Sequence, residues 1–223
     1  RDRFQWIAVQ AVRLGRGDPF RIMLILSLVT AVSSALLDNV TIVVLVAPVT
    51  LLVAASLRVS PLPFLIAEIL ASNIGGTATL IGDPPNILIG SAADIDFVTF
   101  AANLAPISLV ILVAFIGLSW FLFRDDLRSG AGRSLDVDTL ETDALITDRR
   151  LMVKSLIAMG GVVVGFLLHG PLHLEPATIA LTGATVLLLW TGRDPHHVLR
   201  EIEWTTLFFF FGLFITVEAV VQV

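Results

Sequence analysis

The sequence predicts an all-α integral membrane protein, and three observations carry that expectation. Of its 223 residues, 56% are hydrophobic and only 15% charged, with a mean hydropathy of +0.92. Soluble domains run at about 45–50% apolar and about 25% charged, so both figures miss in the same direction. Charge-free stretches then recur at helix length: 22–37, 39–57, 69–82, 84–93, 97–123, 155–174, 176–192 and 204–217. Several approach the roughly 20 apolar residues that cross a bilayer core of about 30 Å. Finally, the basic residues sort to one side of the membrane those stretches imply. Composition also excludes other classes. A net charge of −5 has the wrong sign for a nucleic-acid partner. With no cysteine there is no disulfide framework, thiolate metal site or Cys nucleophile. The chain opens on Arg1 and closes inside an apolar run, so it reads as a piece of a longer protein.

Residues 3–15 (RFQWIAVQAVRLG) have helical period, with Phe4, Ile7, Ala8, Ala11, Val12 and Leu14 on one face. Gln5, Gln10 and Arg13 lie on the other, which suits an interfacial helix on the membrane surface; the end of a preceding span is the alternative. A helical hairpin is expected over 22–57 and an interrupted helix over 62–93. Full spans follow near 101–123, 152–168 and 177–191, and a last one runs over 204–223. The stretch 124–150 carries seven acids and five arginines among small residues and reads as a solvated cytoplasmic linker. It separates a membrane bundle over 1–123 from the start of a second over 151–223. Gly160, Gly161, Gly165 and Gly170 suit close helix packing.

Sidedness follows from the basic residues. If the hairpin returns to the side it left, the inside loops are 1–21, 58–61, 124–154 and 192–203. They hold five, one, six and two Lys/Arg, which accounts for all fourteen. The outside loops, near 92–100 and 169–176, hold none, as the positive-inside rule requires. Trp6, Trp120, Trp190 and Trp204 fall near inside ends, where an aromatic belt lies. A multi-pass protein of the plasma (inner) membrane is expected.

Polar groups within the spans point to chemistry. Asp38, Glu68, Asp83 and Glu218 are acids in apolar surroundings with no Lys or Arg beside them. Acids at membrane depth line protein interiors or aqueous paths. Each either carries a proton, holds a mobile cation or bonds a neighbouring helix end. The hairpin run SSALLDNVTIVVLVAPV places Ser33, Ser34, Asp38, Asn39 and Thr41 at its middle. A turn at Asp38-Asn39 is natural, because both residues bond their own backbone. Such a tip is tolerated at mid-membrane only beside protein or a water-filled cavity; the alternative is an ordinary outside turn between two full crossings.

The run AEILASNIGGTATLIGDPPNILIGS (67–91) contains Ser72, Asn73, Gly75, Gly76, Thr77, Thr79, Gly82, Asp83, Pro84, Pro85 and Asn86. No continuous helix tolerates Gly-Gly followed so soon by Pro-Pro. A helix broken within the membrane resolves the conflict. Its freed N–H groups can meet an anion and its freed carbonyls a cation.

These two runs, DNVTIVVLVAPV and SNIGGTATLIGDPPN, resemble the signature segments of the ion-transporter superfamily. That group includes arsenite-efflux permeases, NhaD-type Na⁺/H⁺ antiporters, citrate-transporter-like proteins and the melanosomal P protein. The likeness extends through EPATIALTGATVLLLW and IEWTTLFFFFGLF, which look like the opening of the family's second half. The resemblance implies an inverted-repeat secondary transporter fold, with a re-entrant helical hairpin and a broken helix in each half. This chain would hold one half plus the start of the second. Asp38, Asn39 and Thr41 would form the hairpin tip. Ser72, Asn73, Gly75, Gly76 and Thr77 would lie at the unwound part of the broken helix, followed by Asp83, Pro84, Pro85 and Asn86. Together these are the expected substrate- and ion-binding residues, with Asp38, Asn39, Asn73 and Thr77 the first-choice ligands for Na⁺.

Where the dicarboxylate branch resembles Ser-Asn-Thr at the tip, this chain has Asp38-Asn39-Val40-Thr41. Where that branch favours Thr before Pro-Pro-Asn, it has Asp83. Both departures add an acid and favour the arsenite or Na⁺/H⁺ branches. The expected function is therefore secondary active transport coupled to a cation or proton, not enzymatic catalysis. A citrate-like anion:Na⁺ symporter is the alternative within the class. No cofactor is expected beyond Na⁺ or H⁺ as coupling ion. The expected partners are the lipid bilayer and a small ion or solute, with no nucleic acid. The resemblance also implies a homodimer at full length, and a soluble ATPase subunit for the arsenite type. A passive channel would need pore-lining repetition that is absent. An intramembrane aspartyl protease using Asp38 and Asp83 would need Gly where Thr79 stands.

Overall fold

A computed structural model describes residues 14–15, 17–128, 149–172, 174–200, 202 and 204–221. The expected interfacial helix over 3–15 and most of the 124–150 linker lie outside them. Every regular element among the described residues is helical: α1 (Pro19–Ser34), α2 (Asn39–Leu57), α3 (Leu62–Gly76), α4 (Pro84–Ala92), α5 (Phe97–Arg128), α6 (Arg149–Leu172), α7 (Pro176–Thr191), α8 (Pro195–Arg200) and α9 (Trp204–Val221).

The boundaries follow from local chemistry. Asp18 caps α1, its Oδ1 accepting from the N–H groups of Phe20 (2.9 Å) and Arg21 (3.3 Å), with Pro19 in the first turn. Such caps contribute about 1 kcal/mol each. α2 ends at Arg58 in the left-handed region (φ 55°), where the N–H of Val59 reaches back to the Ala54 carbonyl (3.0 Å). Prolines open α3, α4 and α7 at positions whose N–H would be unpaired in any case. At the start of α5, Asp96 accepts from the Thr99 N–H at 2.9 Å.

Two helices, Asn39–Leu57 and Phe97–Arg124, are long and apolar enough to cross a membrane by length and composition. The first of these is the second arm of the hairpin, whose first arm, α1, is shorter. α1 packs most extensively on α3, and α2 and α5 complete a bundle around that pair. Its core joins Ile22, Met23 and Leu26 of α1 with Phe64 of α3, Val53 of α2 and Phe115 of α5. A second cluster ties Leu80, between α3 and α4, to Phe97 and Phe100 of α5 and Phe166 of α6. α6 and α7 form a separate packed pair. Outside these contacts the surface is apolar: Leu109, Val110, Val113 and Phe121 on α5 and Phe208, Phe209 and Phe211 on α9 are all more than 60% exposed. Apolar surface this continuous is made to meet lipid or protein.

Trp120, near the C-terminal end of α5, meets Phe20 edge-on at 5.1 Å. Leu127 joins the cluster that holds Ile22. The end of α5 therefore sits beside the start of α1, the relation the basic-residue count requires.

Candidate functional site

The site is built where the hairpin turn meets the break between α3 and α4. α1 ends at Ser34, and a short turn through 35–38 leads into α2. Asp38 caps that helix, its Oδ2 accepting from both the Thr41 N–H and the Thr41 hydroxyl at 2.9 Å. The expected tip trio is thus a unit of its own: Thr41 fixes Asp38, and Asp38 starts α2. Asn39, only 8% exposed, donates from Nδ2 to Asn73 Oδ1 at 3.0 Å. This bond spans 34 residues of sequence and joins the hairpin tip to the broken helix.

The break falls later than expected. Asn73, Gly75 and Gly76 belong to the last turn of α3, and the non-helical stretch covers 77–83. The glycines are helical because α1 leaves no room for a side chain. A Cβ on Gly75 would lie 2.0 Å from the Ala31 carbonyl oxygen. One on Gly76 would lie 2.7 Å from the Gly82 oxygen, and one on Gly82 would lie 2.6 Å from the Ser34 oxygen. Glycine here permits contact between backbones rather than unusual dihedrals.

The stretch 77–83 is held from several directions. The Thr79 hydroxyl donates to the Ala35 carbonyl at the end of α1 and accepts from the Gly82 N–H at 3.2 Å. Asn86, in the first turn of α4, donates from Nδ2 to the carbonyls of Gly76 (3.1 Å) and Thr79 (2.9 Å). Two carbonyls of the break are therefore answered by one amide. Pro84 and Pro85 open α4, and half-buried Asp83 precedes them in extended backbone (φ −149°) without a capping bond. Asp83 lies within electrostatic reach of Asp38.

Two expected residues face elsewhere. The Ser72 hydroxyl is buried and returns to the Ile69 carbonyl of its own helix (2.9 Å). Thr77 is exposed, its hydroxyl bonding the Asn73 carbonyl (2.7 Å). Two further residues matter: Thr79, the contact between the break and α1, and Thr50 of α2, which donates to Glu68 Oε1. Nothing in the periodicity marks Thr50, since its partner is 18 residues away on another helix. Glu218 is exposed on α9. A cavity of about 680 Å³ opens beside the break, lined by its Leu80 and Ile81 together with Asp94, Asp96, Phe166 and Glu175, and no residue of the hairpin tip lines it.

Chemically, the tip gathers two carboxylates, two carboxamides and the C-terminal ends of α1 and α3. The C-terminal ends of α1 and α3 carry partial negative charge and the N-terminal ends of α2 and α4 partial positive charge, so it is the carboxylates that favour a cation or proton. An apolar helical bundle in which a hairpin turn meets an interrupted helix at a polar point defines a membrane transport protein.

The comparison with known sequences agrees and sharpens it. The chain belongs to the citrate transporter family (CitMHS), which it matches over residues 2–223. It is 46% identical over 220 residues to an uncharacterized transporter of Mycobacterium tuberculosis, covering 98% of this chain and 51% of that protein. It is 33% identical over 226 residues to the magnetosome protein MamN of Paramagnetospirillum magneticum (99% and 51%). It is 31% identical over 288 residues to the human P protein (97% and 34%). The chain spans about half the length, or less, of these curated relatives.

Proposed function

We propose that this chain supplies one half-site of a secondary active transporter, in which Asp38 and Asp83 take up the coupling cation or proton. The observation that carries this reading is the Asn39–Asn73 bond, which brings the hairpin tip and the broken helix together beside two carboxylates. The inference to a cation is one of charge. No Lys or Arg occurs between Arg21 and Arg58 or between Arg58 and Arg124, so no basic side chain of these segments neutralises the pair. Asn39 and Asn73 add neutral oxygens suited to Na⁺. The arsenite-efflux or Na⁺/H⁺ antiporter type follows from the two acids.

A re-entrant hairpin is favoured by its first arm: α1 has 16 residues and rises about 24 Å, short of a core about 30 Å thick, whereas α2, with 19, rises about 28 Å. The remaining half of the full-length protein would bring a second hairpin and broken helix to face this one.

A second reading, citrate or a similar anion moved with a cation, is favoured by the family's own description. The N-terminal end of α4, which carries partial positive charge, would face the anion.

The test uses the full-length protein in vesicles, with sodium, arsenite and citrate as separate probes. Asp38→Asn and Asp83→Asn each keep size and polarity but remove charge, and each should abolish ion-dependent flux. Unchanged flux in both variants, for every probe that the parent protein moves, would sink the assignment.

A further inference from the structure

Glu68 is buried, titratable and unused by the site at the tip. It lies on α3 with 0% exposure, five positions before Asn73. Its Oε1 accepts from the Thr50 hydroxyl of α2, and its Oε2 has no hydrogen-bond partner. Ser27, Thr30 and Ser34 lie on the face of α1 that packs on α3. All three are at most 2% exposed, and all three hydroxyls are likewise unpartnered. Serine and threonine within a helix commonly return their hydroxyl to a carbonyl one turn back. Ser56, Ser119 and Thr182 do so here. The α1 hydroxyls do not, although their carbonyls are equally near. Four buried polar atoms without partners therefore belong to one tightly packed helix pair.

An ionised carboxylate in that position lacks compensation. The described charged side chains on the elements around it are Asp18 and Arg21 at the start of α1, Asp38 and Arg58 capping α2, Asp83 before α4, and Asp96 and Arg124 near the ends of α5. Glu68 pairs with none of them, its polar partner being Thr50. Neutralisation must come from a cation small enough to enter between α1 and α3. These helices run close enough for Gly75 to touch the Ala31 backbone. A proton meets that limit and a hydrated metal ion does not.

The Thr50 hydroxyl suits a proton that comes and goes. A hydroxyl both donates and accepts, so it can serve a carboxylic acid as acceptor and a carboxylate as donor by rotating alone. A glutamic acid held permanently neutral would be served as well by fixed carbonyls. Glu68 also joins α2 to α3, the two elements that Asn39 and Asn73 join at the tip. Gain or loss of its proton therefore acts on the same pair of elements that carries the tip carboxylates.

We propose that Glu68, with Thr50, is a second, proton-binding site of the transport cycle, separate from Asp38 and Asp83. The proposal rests on the transporter reading above, and the experiment separates the two. The full-length protein is reconstituted in liposomes, and infrared difference spectra are recorded between acid and alkaline pH. The parent protein should show a protonated-carboxyl band that disappears on alkalinisation. The band should be missing in Glu68→Gln, retained in Asp83→Asn, and moved to higher frequency in Thr50→Val, which strips the donor from the carbonyl oxygen. A band that survives Glu68→Gln unchanged overturns the proposal. So does a pH profile of sodium, arsenite or citrate flux that is the same in Glu68→Gln and the parent. If Glu68→Gln does not assemble, the Thr50→Val band decides: a shift supports the site and an unmoved band rejects it. Failure of the transporter reading looks different, with flux intact in both Asp38→Asn and Asp83→Asn.

Discussion

Replacing Gly75 by alanine tests the packing that builds the tip site. The new Cβ would lie 2.0 Å from the carbonyl oxygen of Ala31, 2.6 Å from its carbon and 2.7 Å from its Cα. All three are backbone atoms of a helix, so no rotamer change relieves the contact. Real Cβ contacts stay above 3.0 Å, so α1 and α3 must part locally by about 1 Å. Overpacking of this kind costs about 1–3 kcal/mol. The displacement is also comparable to the slack in the bonds nearby. The Asn39–Asn73 bond at 3.0 Å would stretch well beyond hydrogen-bonding range, and the Thr79 contact to Ala35 would stretch with it. Both stability and flux should therefore fall. Gly76→Ala should be milder, because its closest contact is 2.7 Å, to the Gly82 oxygen. Gly117→Ala on α5 meets nothing within 4 Å and serves as the control. By helix propensity alone it gains up to about 1 kcal/mol. Thermal melting of the full-length variants in one detergent, followed by tryptophan fluorescence, gives the ranking. Gly117→Ala should melt highest, then Gly76→Ala, then Gly75→Ala. A Gly75→Ala protein that melts with the Gly117→Ala control would refute the argument that backbone contact between α1 and α3 dictates glycine.

The remaining predictions concern the tip. Asn39→Ala and Asn73→Ala, singly and together, form a cycle whose coupling should be about 0.5–1.5 kcal/mol, the range for a neutral hydrogen bond. Additive losses of stability would show that the bond contributes nothing. Asp38→Asn and Asp38→Ala separate charge from capping. Both should lose ion-dependent flux, but only alanine should lose the N-cap, at about 0.5–2 kcal/mol. Equal melting temperatures for the two would remove Asp38 from its capping role.

The elements that could be read from sequence are those whose signal is local. Asp38 before an apolar run marks a helix start wherever that helix goes, and α2 does begin at Asn39. Gly-Gly followed by Pro-Pro marks an interruption because the backbone cannot continue through both, and α3 and α4 are indeed separate. The placement of the interruption was not legible. Glycine lowers helix propensity by about 1 kcal/mol, which argues for a break at Gly75 and Gly76. The close approach of α1 outweighs it, and that approach depends on residues more than forty positions earlier. The same reason hides Thr50 and Thr79. Each is one more hydroxyl in an apolar run until the fold brings it to Glu68 or to the Ala35 carbonyl. Asn39 and Asn73 were legible as polar residues out of place, while the bond between them was not.

The contacts at the break also constrain how such a site could change its access. Gly75 lies against the Ala31 backbone, Gly82 against the Ser34 carbonyl, and the Thr79 hydroxyl on the Ala35 carbonyl. Three successive points on the broken element thus rest on the last turn of α1, and Asn39 fastens the next helix to Asn73. To part the hairpin from the broken helix would strip all of these at once, including the hydrogen bonds to the Ala35 carbonyl and to Asn73 Oδ1, at about 0.5–1.5 kcal/mol for each bond. To move the two together strips none. The polar tip is thereby a fixed feature of a compound body, and a cation held there would travel with that body. This geometry supports alternating access by displacement of the hairpin and broken helix as one unit over gating between them.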